Sequence, residues 1–474
     1  MTEVYEICSK ITYLRKQNNI SEARKIGHDA LIKYPNDKNI KNACFWVCYT
    51  EIKNTIKNFE ERTKSQKNVE FNGKEISDIN NAIYCIEWFN LPNDNINKYR
   101  ILLLLIIKYI KHFPQIFVIL TKNFDSLFIE KDFIPFKAEN NKESPSLAYK
   151  FAKVLSDIWI KNIYELPKKI HYQTIITIMN NIIAKCKDKS DSKIWLYLNL
   201  TKLYLLLENY KEAQNLAKIV LDNQRQNGWA WGCYADTLND DFNSKKIFYC
   251  KGISCCQDEN FSTRMMLNLA YTLVEQQNFS YATMCIKKLS EIYKKNNWNL
   301  KPKLKNLLKK TWYNPNIDIT PLKKFIQSHS DQAENLLYAN KKTIYGIVER
   351  THKSGKGFNV YIDENTSIKV NKHLLKNTAN LPQVGEGIIL TITEKNDPLY
   401  ANTCVFKENE KIKIQQGILK VKTNANFGFV NDIYIPNYLI NQNYINKNVI
   451  VLAIRKINPK RNNLSWTCIK INLS

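Results

Sequence analysis

The chain has 474 residues, with 70 Lys and Arg against 44 Asp and Glu, and a formal net charge of +26. Its 44% hydrophobic and 12% aromatic content exclude a disordered polymer, while only 12 Gly and 13 Pro exclude a collagen-like or linker-dominated protein and argue against a large doubly wound fold. The length suggests about three domains, mostly helical, and the positive excess fits an acidic partner (nucleic acid or an anionic membrane surface), although an Asn-, Lys- and Ile-rich composition also follows from an AT-rich genome.

At the N-terminus, Met1 to Lys10 has no apolar core behind a basic start, so no signal peptide is expected. Leu14, the turn Asn18-Asn19-Ile20, Ala23, Ala30 and Pro35 then outline two short antiparallel helices. Between Phe59 and Lys189 the periodicity fades, although Tyr99 to Leu120 and Leu147 to Ile163 still read as helices and Glu139 to Pro145 as a polar loop. The apolar run Ile101 to Ile107 is far shorter than the roughly 20 residues that span a bilayer.

From Ile194 to Asn223 the helical pattern is clear, with Tyr197, Leu200, Tyr204, Ala213, Ala217 and Val220 interrupted by the turn Glu208-Asn209-Tyr210. A like unit runs from Met265 to Tyr293 around Gln277-Asn278-Phe279, and Trp229 to Cys256 supplies a unit between them. Ala213 and Ala282 lie 69 residues apart, close to twice 34. This pattern resembles the tetratricopeptide repeat, which implies an α-solenoid over residues 1–335 (degenerate at 59–189) that grips a protein partner in its groove. Gly27 departs from the family, since a bulky residue usually packs there. A spacer or scaffold role is the alternative reading of such an array.

After Lys342 the chain turns to short alternating stretches: Thr343–Val348, Phe358–Ile362, Ser367–Val370, Gly387–Ile392 and Ala401–Phe406. The order then repeats as Gln416–Val421, Phe427–Val430, Ile433–Pro436, Val449–Ile454 and Trp466–Ile471, with Gly417 lying 71 residues after Gly346. Two five-stranded β-barrels are predicted, over residues 342–407 and 413–474, making the fold class multidomain α followed by β.

The second copy resembles the cold-shock and S1 type of OB-fold. Its Asn426-Phe427-Gly428-Phe429-Val430 and Ile433-Tyr434-Ile435-Pro436 match that family's two nucleic-acid-binding strands. Phe427 and Phe429 are two apart and share a strand face, and Tyr434 stands beside them on the next strand. With Lys420 and Lys422 flanking, the cluster offers rings for bases and cations for phosphates. Gly428 fits between the rings because a side chain there points into the packed face. Pro436 replaces the family's histidine, and Asn426 a common lysine or glycine. In the first copy, Lys356, Phe358 and Tyr361 are the candidates, on a weaker platform with one ring where two are expected. Packing in the core is the alternative for all of these aromatics.

The region from Lys341 onward carries roughly twice as many Lys and Arg as Asp and Glu, and Lys301, Lys303, Lys305, Lys309 and Lys310 form a further basic tract that equally suits a solvated helix face. No phosphate-binding Gly-rich loop, no His-Glu-x-x-His and no Gly-x-Ser-x-Gly is present, and Ser354-Gly355-Lys356-Gly357 reads as a basic turn. The 12 cysteines include no Cys-x-x-Cys, only Cys44/Cys48 and Cys255-Cys256, so neither a metal nor a cofactor is expected. Scattered thiols without an export signal read as reduced residues in a cytoplasmic protein. The sequence therefore predicts a non-enzymatic adaptor, with the barrels holding single-stranded or structured RNA in preference to DNA and the solenoid holding a protein. Its rival is a pure protein-interaction scaffold in a bacterial defence or stress complex. Rings open on a basic face favour the first, and rings buried between the barrels favour the second.

Overall fold

A computed structural model describes residues 2–65, 69–89, 91, 96–137, 143–188, 190–338, 340–376, 378, 380–394, 396–421, 426–458 and 463–474. The chain divides into two compact units, Met1–Ala333 and Glu334–Ser474.

The first unit is helical. It opens with α1 (Thr2–Lys16), α2 (Ile20–Lys33), α3 (Lys38–Ser65), α4 (Gly73–Phe89), α5 (Ile96–Ile106) and α6 (Ile116–Lys122). After the small ladder of β1 (Phe136–Lys137) and β2 (Glu143–Ser144) come α7 (Leu147–Ile160), α8 (Leu166–Lys169) and α9 (Tyr172–Lys185). Hairpins follow: α10 (Ser190–Leu206) with α11 (Tyr210–Asn223), α12 (Gly228–Asp236) with α13 (Phe242–Ser254), and α14 (Thr263–Glu275) with α15 (Phe279–Lys295). From α10 to α15 each helix packs on the next. Part of the loop predicted at Glu139–Pro145 is thus the strand β2, while residues 139–142 lie outside the described ones.

The hairpin turns repeat one design. Asn19, Asn209 and Asn278 each cap the following helix by accepting from the backbone N–H three residues on. Each also donates its own N–H to the carbonyl five residues earlier, at 2.9, 2.9 and 2.8 Å respectively. The residue before each is left-handed: Asn18 (φ 60°), Glu208 (φ 56°) and Gln277 (φ 57°). This closure satisfies the orphan carbonyls of one helix and the orphan amides of the next. Asp241 caps α13 in the same way, through the N–H of Ser244. The caps Asn209, Asp241 and Asn278 are spaced 32 and then 37 residues apart, so the sum is close to two periods of 34 although neither interval is. At Gly27, an added Cβ would lie 2.6 Å from Cys44 Sγ; the glycine therefore lets α2 lie close on α3.

The second unit holds two curled sheets, half-barrels consistent with OB-type domains. The first contains β3 (Lys342–Thr351), β4 (Gly357–Asp363), β5 (Thr366–Asn371), β6 (Gly387–Ile392) and β7 (Pro398–Cys404), in the order β5-β4-β3-β6-β7. A parallel bridge between Leu375 and Ala401 brings the end of β5 towards β7. The second contains β8 (Ile412–Ile418), β9 (Lys420–Val421), β10 (Phe427–Val430), β11 (Ile433–Pro436), β12 (Asn448–Asn458) and β13 (Asn463–Leu473), in the order β8-β12-β13-β11-β10-β9. Here the one run predicted from Gln416 to Val421 is broken at buried Leu419, where the chain leaves β12 and joins β10. The β11–β13 pairing is parallel, and the others in this sheet are antiparallel.

The two sheets share an apolar seam of Ile347, Tyr361, Ile412, Leu452, Ile454 and Ile469. Glu349 pairs with Lys456 across it, and Glu364 lies 3.7 Å from Lys411. Consequently β12 is buried on both faces from Val451 to Ile454.

Candidate nucleic-acid interface

The site is built on one hairpin. Strands β10 and β11 are joined by Asn431-Asp432, with Asn431 left-handed at φ 52°. Asparagine tolerates that conformation better than most residues. The register opposes Phe429 to Tyr434, Gly428 to Ile435 and Phe427 to Pro436. Alternation then sends Val430, Ile433 and Ile435 into the core, where all three are fully buried. A Cβ at Gly428 would point the same way, 2.9 Å from the Lys420 carbonyl oxygen and 3.1 Å from Leu419 Cδ1.

The opposite face carries the rings. Ring centroids are 5.8 Å apart for Phe427–Phe429, 5.7 Å for Phe427–Tyr434 and 6.0 Å for Phe429–Tyr434. None of the three belongs to the seam between the sheets, and Phe429 is 41% exposed. Exposed Lys420 stands opposite Phe429 on β9, so Lys420, Phe429 and Tyr434 form one row across three strands. Lys422, predicted as the second cation, lies outside the described residues.

The first sheet corrects the other predictions. Phe358 is fully buried, because it pairs with Val370 and points with Val360 into the core. Tyr361 points outward but lies in the seam, also fully buried, and its hydroxyl donates to the Arg455 carbonyl oxygen. Burial above all, with the nearby carboxylates of Glu364, Asp363 and Glu349, pushes its phenol pKa up. Lys356 is exposed in the turn before β4, beside Gly355 at φ 66°, rather than on the strand face. Among the described residues, the predicted rings of this copy form no open stacking platform.

What occupies the equivalent row is Arg350, Asn359 and Lys369. Asn359 opposes Arg350 on β3 and Lys369 on β5, as Phe429 opposes Lys420 and Tyr434. Arg350 and Lys369 are exposed, and the half-buried Asn359 side chain is hydrogen-bonded to His352 Nε2 at 2.8 Å. Sequence reasoning missed this row, and it also missed Tyr438. That tyrosine follows β11 and is 77% exposed. Tyr434 of its own sheet and Arg350 and Glu349 of the first sheet lie close enough to act on its phenol electrostatically.

Elsewhere, Lys301, Lys303, Lys305, Lys309 and Lys310 are all exposed around the short helix Pro302–Leu308, whose Leu304 and Leu307 are buried. Trp195 and Trp229, 34 residues apart, stack at 5.4 Å on the helical unit. Among the described residues no group of three or more His, Cys, Asp or Glu is placed to hold a metal ion, and no helix is long and apolar enough to cross a membrane.

Comparison with known families gives two matches. Residues 413–471, which span β8 to β13, match S1/CSD-like domain 2 of the TOTE conflict systems. Residues 194–333, from α10 onward, match a domain of unknown function, DUF7017. No curated protein matches the chain.

Proposed function

We propose that the protein is a nucleic-acid-binding adaptor of a conflict system, acting without catalysis of its own. The observation that carries this reading is the open triad of Phe427, Phe429 and Tyr434 with Lys420 in its row. Rings at this spacing on one face, with Phe429 exposed, Phe427 and Tyr434 half-buried and Lys420 beside them, suit successive unstacked bases, and each stacked base contributes roughly 1–3 kcal/mol with little regard for sequence. The S1/CSD-like match over the same strands supports it, since such domains typically bind nucleic acid.

The two sheets divide the labour. The second takes bases by stacking, while the first, with Arg350 and Lys369 but no ring in its row, takes backbone phosphates. Exposed Tyr438 lies within electrostatic reach of a residue of each row, Tyr434 and Arg350. Single-stranded RNA is the preferred ligand, because unpaired RNA is ordinarily read through splayed bases on aromatic platforms. The hairpins of the helical unit resemble tetratricopeptide repeats, and that unit binds a protein partner, with the stacked Trp195 and Trp229 as a recognition surface.

The test is fluorescence anisotropy of labelled poly-U and poly-dT with the full-length protein, at two salt concentrations. The Phe427→Ala/Phe429→Ala/Tyr434→Ala protein serves as the comparison. Salt-sensitive binding that the triple variant loses while remaining folded supports the reading, with poly-U tighter than poly-dT. No binding at low salt refutes it and leaves a protein-interaction scaffold.

A further inference from the structure

Helices α2, α3 and α4 enclose a cavity of about 350 Å³, lined among others by Arg24 and His28 from α2, Cys44 and Cys48 from α3, and Cys85 and Trp88 from α4. Three thiols of one chain thus face one cavity, in the unit that does not carry the ring and cation rows. Cys44 and Cys48 are buried, whereas Cys85 is half-exposed. Cys48 and Cys85 line the cavity from the packed helices α3 and α4, close enough for each thiol to act on the other.

We infer that this cavity is a thiol oxidation site, in which a peroxide oxidises Cys85 and Cys48 then closes a disulfide with it. The Cys85 thiolate attacks one peroxide oxygen and the O–O bond breaks. That oxygen stays on sulfur as a sulfenic acid, and the other leaves as hydroxide and takes a proton. The Cys48 sulfur then attacks Cys85 sulfur, the S–O bond breaks, water leaves, and the S–S bond forms. The two thiols give up two electrons and two protons, and hydrogen peroxide becomes two waters.

The surroundings separate the two roles. The neighbouring Cys48 thiol above all, with the Arg24 guanidinium and the His28 ring close by, outweighs the partial burial of Cys85 and holds its thiol below the ordinary range. Cys48 is raised by the neighbouring Cys85 and by deep burial, so it stays protonated until Cys85 has been oxidised. Cys44, one helical turn before Cys48, is pushed up to about 12 by burial, and Cys8 on α1 is raised for the same reason; neither competes. Beside the site lie Lys25 at the cavity wall, Glu51, which is paired with Arg24, and Asp29, 3.6 Å from His28. A lowered, accessible thiol next to a resolving thiol is the arrangement that peroxide-sensitive cysteines need.

The experiment treats the full-length protein with hydrogen peroxide at neutral pH, blocks free thiols with N-ethylmaleimide and maps peptides by mass spectrometry. A Cys48–Cys85 linked peptide is expected before oxidation of the half-exposed Cys255 or Cys404. It disappears in Cys85→Ser, and in Cys48→Ser it is replaced by a dimedone-trapped sulfenic acid on Cys85. Recovery of both as free thiols after Cys255 or Cys404 has been oxidised overturns the inference. Because either variant can misfold, the wild type also gives an independent readout. Its Cys85 alkylation rate should level off below about pH 8, under the ordinary thiol value of roughly 8.5. Cys404, whose thiol burial raises, should keep accelerating past that point. Parallel pH profiles for the two residues overturn the inference as well.

Discussion

Phe429 and Phe358 sit on the second strand of successive copies of one β unit, yet truncating them should do opposite things. Phe358 is fully buried among Val348, Val360 and Val370, so Phe358→Ala removes a core ring and leaves a void, at a cost of about 3–5 kcal/mol. That is a large share of the roughly 5–15 kcal/mol that holds a typical domain folded. Amide exchange protection in β3 to β7 should drop by about two to three and a half orders of magnitude if exchange follows domain opening. Phe429 is 41% exposed and faces away from the core, so Phe429→Ala should leave protection in β8 to β13 nearly unchanged. It should instead weaken oligonucleotide binding by roughly 1–3 kcal/mol, about 5-fold to 150-fold in Kd. Hydrogen exchange by mass spectrometry and anisotropy on the same preparations read both effects. If Phe429→Ala unfolds its sheet, or if Phe358→Ala stays protected and loses binding, the assignment of faces is wrong.

Replacing left-handed Glu208 or Gln277 with glycine should stabilise the helical unit by about 0.5–1 kcal/mol each, since relief of a strain of roughly 1–2 kcal/mol is partly offset by glycine's greater unfolded freedom; urea melts followed by circular dichroism would show no gain if the turns are unstrained. If Arg350 and Lys369 contact phosphates, Arg350→Ala and Lys369→Ala should each reduce the slope of log K against log salt by about 0.7, with the stacking contribution intact; an unchanged slope removes the first sheet from the interface. Arg100 holds the 5%-exposed Asp132 through two bonds of 2.7 and 2.8 Å. Burial alone would raise that carboxyl, but Arg100 and the Ile129 N–H bring it below its ordinary value, so its stabilisation is present above about pH 4 and fades as pH falls through the folded value. In Arg100→Met burial acts with only the Ile129 bond and the charge of Lys131 against it; the loss should reach about 3 kcal/mol at pH 7 and shrink towards pH 5, and parallel wild-type and variant melting profiles would refute this.

Much of the second sheet's site was legible because the sequence there obeys one alternation. Phe427 and Phe429 flank a glycine, Val430 continues the inward row, and a two-residue turn sets Tyr434 opposite Phe429. In the helical unit the Asn-capped turns were visible as Asn18-Asn19, Glu208-Asn209 and Gln277-Asn278, whereas unequal spacing blurred the period. The thiol-lined cavity left no local signal, since Arg24, Cys48 and Cys85 come together only when three helices pack.

The first sheet was misread for a physical reason. In Phe358-Asn359-Val360-Tyr361 both alternating rows hold a large apolar residue, because one row fills the core and the other meets the neighbouring sheet. Local pattern cannot rank two buried faces, and matching the copies by Gly346 and Gly417 leaves the parity open. The register resolves it: β3 carries one extra residue at Glu349, where pairing jumps from Val348–Val360 to Arg350–Asn359. A bulge of one residue exchanges the faces of everything beyond it in a naive alignment. Counted past the bulge, Arg350 falls on Lys420, Asn359 on Phe429 and Lys369 on Tyr434. The bulged residue itself is used, since Glu349 reaches across the seam to Lys456. The same insertion that hid the correspondence thus ties the row of Arg350, Asn359 and Lys369 to the sheet that carries the rings, which is why the two rows are proposed to act as one interface.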